Sequence, residues 1–276
     1  MQGRSYDDIQ EVRVESLGAL VDCTTPTEYD LASGRLRSTT VFRGAKSTQW
    51  GLLTSLDRLG GIDPAHTKGH LEEHILRNFI RYSRPHLMQQ PYNEWELMVT
   101  AQHHGLPTRL LDWSYSPLVA AHFATLGGDP AMDRVIWRLD WRCLHEYFGL
   151  PPVALLVQDL DQLLRKQGVD TPWTLFDPPE GGHARMMCMI DPPALDDRIV
   201  VQAAAFTLST DKTRSFDETM RDLGLQHALT RFVIPAGRVN HLRDQLDLVT
   251  IDERRLFPDL DGVAAEMRRY YDASAE

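Results

Sequence analysis

Cysteine is scarce in this chain. Cys23, Cys143 and Cys188 are odd in number and far apart among 276 residues, which leaves no disulfide framework and no paired zinc spacing. That usage fits a reducing cytosol. Long apolar runs are missing as well: nothing approaches the ~20 residues that a membrane-spanning helix needs. The first fifteen residues, MQGRSYDDIQEVRVE, carry acids early and no apolar core, unlike a secretory signal. Basic excess is absent too. A formal net charge of −10 argues against nonspecific nucleic-acid binding, which needs a cationic face against phosphates. Arg77, Arg81 and Arg84 make one small cationic cluster, read here as a solvated helix face. The expectation is a soluble, cytoplasmic protein without membrane association.

Several catalytic signatures are also missing. There is no G-x-S-x-G elbow, and Cys143 and Cys188 lie in apolar company that raises a thiol's pKa. Cys23, before two threonines in an expected loop, is a weak candidate for a nucleophile. Nothing picks a glycosidase pair out of the 39 acids. His103, His104, His122 and His183 invite a metal. However, adjacent histidines on a helix point about 100° apart, whereas ligand pairs want a spacing of three or four. No metal is expected.

What is present is an ordinary globular composition, 42% apolar and 25% charged, with no repeat. Strands are expected from Arg13 to Leu17, over STTVFRGA (Ser38 to Ala45), TRLLDWS, RVIWRLD, RMMCMID, RIVVQAAAFTLS (Arg198 to Ser209) and HALTRFVIP. Helices are expected from His70 to Tyr82, over NEWELMVTAQHH, PLVAAHFATLG, WRCLHEYFG, VALLVQDLDQLLRKQG, AGRVNHLRDQLDLV and PDLDGVAAEMRRYYD. Thr171 to Gly182, rich in Pro, Asp and Gly, reads as loop. No regular βαβ alternation and no glycine-rich phosphate loop appears. The fold class is therefore α+β, a single domain with a mixed or split sheet flanked by helices.

The densest local signals run from Ala101 to Ala124, AQHHGLPTRLLDWSYSPLVAAHFA. Asn93 caps the helix before it, with Glu96 as capping-box partner. Gly105 and Pro107 stop that helix, and Ser116-Pro117 opens the next. Between them sit Gln102, His103, Thr108, Arg109, Asp112 and Trp113, more polar than a core wants. Arg43 emerges where an apolar strand frays at Gly44, and it needs an anionic partner. An internal carboxylate such as Asp112 would serve, and so would a ligand's phosphate. Gln202, beside three small alanines, either caps a neighbouring loop or bonds a sugar hydroxyl or amide.

Together, VFRGAKSTQWGLLTSLDR, the helix with Glu73 and Phe79, the Gln102-to-Asp112 run, RIVVQAAAF and FPDLDG (Phe257 to Gly262) resemble the FRG domain family, named for its Phe-Arg-Gly motif. Phe42, Arg43 and Gly44 match that motif, and Trp50, Ser55 and Arg58 fit the segment after it. Ala203 to Ala205 depart from it where a glycine is expected. This divides the chain into an N-terminal extension, 1–37, packed on the domain, and an FRG domain with C-terminal helices, 38–276.

The order of parts also resembles the ADP-ribosyltransferase superfamily, which binds NAD in a split sheet. The resemblance implies NAD as co-substrate and an unidentified acceptor macromolecule. The chain would be a toxin or antiphage effector, with an antitoxin or regulatory partner. It gives catalytic roles to Arg43, His103 and Gln202. It gives cofactor contacts to Arg43, Gly44, Thr108, Arg109, Asp112, Trp113 and Ser114, with Trp113 or Tyr115 stacking on a ring. One departure is large: Gln202 falls where that superfamily carries a glutamate. The alternative expectation is a non-catalytic sensor of a nucleotide-like ligand, or an interaction module.

Overall fold

A computed structural model describes residues 6–26, 29–30, 35–36, 38–59, 68–86, 91–176, 185–195, 197–211 and 213–271. His183 and residues 177–182 of the expected loop lie outside the described residues.

Strand β1 (Gln10–Arg13) gives way to helix α1 (Leu17–Thr24) at Ser16, whose Oγ accepts the Ala19 N–H at 3.2 Å. That cap splits the alternation read from Arg13 to Leu17, and it places exposed Cys23 on a helix rather than in a loop. Strands β2 (Tyr29–Asp30) and β3 (Arg35–Leu36) pair apart from the main sheet. Strand β4 (Thr40–Ala45) leads through turns to α2 (Lys68–Ser83) and α3 (Glu94–His103). Then come β5 (Leu111–Ser114), α4 (Pro117–Thr125), β6 (Arg134–Asp140) and α5 (Trp141–Tyr147). Next are β7 (Leu155–Leu156), α6 (Val157–Lys166), α7 (Pro172–Phe176) and β8 (Met187–Asp191). The chain continues with α8 (Asp197–Val201), β9 (Ala204–Ser209), α9 (Phe216–Asp222) and β10 (Leu229–Ile234). It closes with α10 (Val239–Leu248), α11 (Glu253–Leu256) and α12 (Leu260–Tyr271).

Eight strands form one mixed sheet in the order β1-β10-β6-β4-β5-β9-β8-β7. The β1/β10 and β7/β8 pairs are parallel and the others antiparallel. The fold is α+β. On one face, Phe42, Ile136, Phe232 and Ile234 pack under Leu20 of α1, the alanines of α4, and Leu242 and Leu246 of α10. On the other, Val41, Trp137, Leu139 and Trp113 pack with Phe216 and Met220 of α9. A further cluster joins Met98, Leu110, Leu160, Cys188 and Leu208. Among the described residues no helix is long and apolar enough to cross a membrane.

The apolar run from Arg198 to Ser209 is not one strand. Its first half coils into α8, and the turn after it is closed by Gln202 N–H to Arg198 O at 3.0 Å and Ala203 N–H to Val200 O at 3.0 Å. Ala203 then takes a left-handed φ of 46° before β9 begins. Hydrophobicity alone does not separate the halves, because Val200 is apolar yet 61% exposed.

The C-terminal helices are tied down by charge. Arg269 grips Asp247 with two bonds (2.7 and 2.8 Å) and Glu253 at 2.9 Å. Arg243 donates to Glu253 at 2.6 Å and to Nδ1 of fully buried His122 at 2.9 Å. The ring proton of neutral His122 therefore sits on Nε2. Burial, reinforced by the Arg243 charge, pushes the His122 pKa down to about 4. Burial also lowers that of His145, which is held between Pro151 O and Met189 N–H. Below the ordinary histidine pKa of about 6.5, the unfolded chain binds protons that the folded chain refuses. Stability is thus fully present above that pH and lost as pH falls toward 4. The His122 share is on the order of 3 kcal/mol. Urea titrations between pH 7 and pH 4.5 should show the decline, and His122→Gln should flatten it. An unchanged slope in that variant would contradict the assignment.

Candidate functional site

The three residues of the Phe-Arg-Gly motif do three different jobs on β4. Phe42 is buried in the core under α4. Gly44 makes room for that helix: a Cβ there would lie 2.0 Å from Ala120 O and 2.5 Å from Ala124 N. Arg43 spans a gap in the sheet. Strand β4 pairs with β6 along its whole length, from Thr40 to Ala45, but meets β5 at Phe42↔Ser114 alone. A continuous antiparallel ladder would next match Gly44 with Asp112. The strands part instead, and the Asp112 carbonyl needs another donor. Arg43 Nη1 supplies it at 2.7 Å, and also reaches Asp112 Oδ2 at 3.4 Å. Burial lowers the Arg43 pKa most, Asp112 opposes that, and the nearby positive charge of Arg58 adds to it.

Asp112 is held from the other side. Gln102, buried at the end of α3, donates from Nε2 to Asp112 Oδ1 at 2.9 Å. Its Oε1 accepts the Thr108 hydroxyl at 2.7 Å, and Thr108 N–H donates to Ser55 Oγ at 3.2 Å. Leu56 N–H bonds the Thr108 carbonyl at 3.2 Å. Hence Arg43 and the Gln102-to-Asp112 stretch meet, although Arg43 and Asp112 are 69 positions apart. The Asp112 side chain is 53% exposed and that of Arg43 20% exposed, so an ion pair stands at the surface on a buried polar support.

The flanking geometry follows local signals. Asn93 Oδ1 accepts Glu96 N–H at 2.9 Å as its position suggests, whereas the Glu96 carboxylate reaches one residue further back, to Tyr92 N–H at 2.7 Å. Gly105 takes φ 82° and ends α3. Ser116 Oγ caps α4 at Val119 N–H, 3.3 Å.

Other residues expected to touch a nucleotide are engaged by the protein itself. Thr108 is fully buried in the network just described. Arg109 is buried against Glu72, whose carboxylate takes both its backbone N–H (2.7 Å) and its Nε–H (2.6 Å), and its guanidinium lies 3.3 Å over the Phe176 ring. Trp113 is a core ring, edge-on to Phe216 and bonded from Nε1 to Thr207 Oγ1 at 2.9 Å, so it is not free to stack on a ligand. Ser114 donates to the Gln202 carbonyl at 2.7 Å. Gln202 lies in the turn between α8 and β9, not in a strand, and its amide donates to Leu256 O at 2.9 Å. His103 ends α3, with its ring edge-on to His104. Tyr115 keeps a partly exposed ring, its hydroxyl donating to Asp191 Oδ1 at 2.6 Å.

Glu72 is the participant that sequence reading passed over. Its signal is an acid four residues before Leu76, on the apolar side of α2, where both are buried. Burial raises the Glu72 pKa even against the pull of Arg109. A recess lined by Thr54, Asp57, Lys68, Arg109, Asp211 and Arg214 has a volume of ≈ 20 Å³, room for a water and not for a nucleotide. Burial pushes the Cys188 thiol up to about 12 and raises Cys143 too. Among the described residues no three His, Cys, Asp or Glu side chains converge as a metal site.

No curated protein and no solved structure matches the chain. A family model does, over residues 38–131. The match opens just before β4 and closes beyond α4. It takes in Arg43, Gly44, Ser55, Glu72, Gln102, Thr108, Arg109 and Asp112, and it stops before Gln202 and Phe257. The parted strands, the arginine across the gap and the polar support beneath it thus all fall within one matched stretch: residues 38–131 match the model of the FRG domain.

Proposed function

We propose that the FRG domain binds NAD where β4 and β5 part and transfers its ADP-ribose to an acceptor macromolecule. One observation carries the reading: a guanidinium and a half-exposed carboxylate, Arg43 and Asp112, are fixed side by side at a break in the sheet. The resemblance to the ADP-ribosyltransferase superfamily needs an arginine strand, a polar strand and a later strand. Here β4, β5 and β9 are neighbours in that order. Arg43, with Arg58 adding positive charge, suits a pyrophosphate. The exposed face of Tyr115 suits a stacked ring. Since the Gln202 amide is occupied by Leu256, the acid of this reading is Asp112, held at one oxygen by Gln102. NAD would supply the glycosidic bond whose scission releases nicotinamide. Such an enzyme would act as a toxin or antiphage effector under an antitoxin or regulatory partner.

The occupied Gln202 amide also favours a second reading, in which the same site senses a nucleotide without chemistry. One experiment separates the two. Purified protein is titrated calorimetrically with NAD, then incubated with NAD and cell extract while nicotinamide is followed by mass spectrometry. Arg43→Lys should weaken binding by about 1.5–3 kcal/mol, because a point ammonium does not rebuild a planar fork. Asp112→Asn should lower nicotinamide release by roughly 10²-fold, the scale of one preorganised contact. Binding without release selects the sensor. No binding at all sinks both readings.

A further inference from the structure

Helix α2 has two unlike sides. Its inward side carries buried Glu72 and Leu76, and Glu72 ties the helix to Arg109. Roughly opposite Glu72 run His70, His74, Arg77 and Arg81, all exposed, within an arc of about 60° at 3.6 residues per turn. Arg84, exposed in the turn that follows, adds a third guanidinium at that end.

These arginines stand unpaired in a chain with acids to spare. Asp and Glu outnumber Lys and Arg 39 to 29, and exposed arginines on other helices find them: Arg165 pairs with Asp161 at 2.9 Å and Arg254 with Glu266 at 3.2 Å. Among the described residues no carboxylate pairs with Arg77, Arg81 or Arg84, although Glu73 stands exposed about one turn before Arg77. Three neighbouring guanidiniums repel one another and gain from a polyanion. An aromatic ring borders them. Tyr82 is 66% exposed, and the Arg81 guanidinium lies 5.3 Å from its ring centroid.

We propose that this face of α2 docks a single-stranded nucleic acid, with the arginines on its phosphates and Tyr82 under a base. Carboxylates would satisfy the arginines as well, but an acidic peptide has no use for the exposed ring. Every base has a π face to stack on it. The net charge of −10 does not oppose so local a contact, because at 0.1 M salt charges beyond about 10 Å are largely screened. Three phosphate contacts on a single strand make binding modest and salt-sensitive, with log K falling against log salt at a slope of about −2.

Fluorescence anisotropy of labelled oligo(dT) and oligo(U), titrated with the full chain at salt from about 50 to 200 mM, tests this. Circular dichroism confirms that each variant is folded. The wild type should bind at the lowest salt and show the slope given above. Arg77→Ala with Arg81→Ala should weaken binding at least tenfold and flatten the slope. Tyr82→Ala should weaken it about tenfold at an unchanged slope, and Tyr82→Phe should restore it. Arg268→Ala, which removes an exposed arginine of α12, should change nothing. No binding of either strand at the lowest salt overturns the proposal. So does a loss from Arg268→Ala equal to that from the α2 variant, an affinity indifferent to Tyr82→Ala, or displacement by polyglutamate as effective as by unlabelled oligonucleotide, which would assign the face to an acidic protein.

Discussion

Glu72→Ala should destabilise the protein by about 3–5 kcal/mol, the scale for breaking one side of a buried ion pair. Glu72 is fully buried, and its two oxygens satisfy two separate donors, the backbone N–H and the side-chain Nε–H of Arg109. Truncation strands both donors together with a positive charge that is itself buried. Glu72→Gln should be milder, because the amide oxygen still accepts one of the bonds. The pair is not itself a large source of stability: burial raises the Glu72 pKa despite the arginine beside it, so the charge is held at a desolvation cost. A double replacement, Glu72→Met with Arg109→Met, should therefore recover most of the loss from Glu72→Ala. Urea midpoints for the three variants measure this. A double variant less stable than Glu72→Ala would mean that the ion pair, rather than its imbalance, holds α2 to the segment before β5.

Where the sequence was legible, a period or a cap made it so. Strand β6 has the bounds that RVIWRLD suggests, and α4 begins at the proline after its capping serine. Arg43 in an apolar strand calls for an anionic partner, a carboxylate or a ligand's phosphate, and within the chain it reaches Asp112. The loop-capping role open to Gln202 is the one its amide performs, on Leu256. The short helices α9 and α11, of seven and four residues, were invisible because so few residues carry no 3.6-residue pattern.

The polar and aromatic residues of the Gln102-to-Ser114 run do not all face one surface, and strand geometry explains why. Successive side chains of a strand point to opposite faces. Asp112 and Trp113 are adjacent in sequence, so one faces solvent and the other fills the core. Density of polar and aromatic residues along the segment therefore overstates how many of its side chains share one surface. Partners also lay beyond local reading. Arg109 finds Glu72 37 positions away, and nothing local to either residue names the other.

Gly44→Ala should cost about 3 kcal/mol or more, at the upper end of what overpacking does. Gly44 is an ordinary strand position, not one of the left-handed glycines, so backbone conformation does not demand glycine there. Space does. The added methyl would sit 2.0 Å from Ala120 O and 2.5 Å from Ala124 N, and both atoms belong to the backbone of α4. No side-chain change on the helix relieves that contact, so α4 must lift from the sheet. Lifting it opens the packing of Phe42, Ala121 and Leu242 on that face. It also disturbs the Ser114–Ser116 turn that fixes the end of β5. Gly105→Ala is the control. Gly105 has φ 82° and nothing within 4 Å of its missing Cβ, so only the left-handed penalty of about 1–2 kcal/mol applies. The two variants should differ in a second way. Because Arg43 is anchored to Asp112 across the parted strands, Gly44→Ala should disturb any ligand bound there even in the fraction that stays folded, while Gly105→Ala should leave its affinity unchanged. Chemical denaturation and NAD titration of both variants make the comparison. Equal stability losses would show that close approach of α4 is not what the third residue of the motif provides.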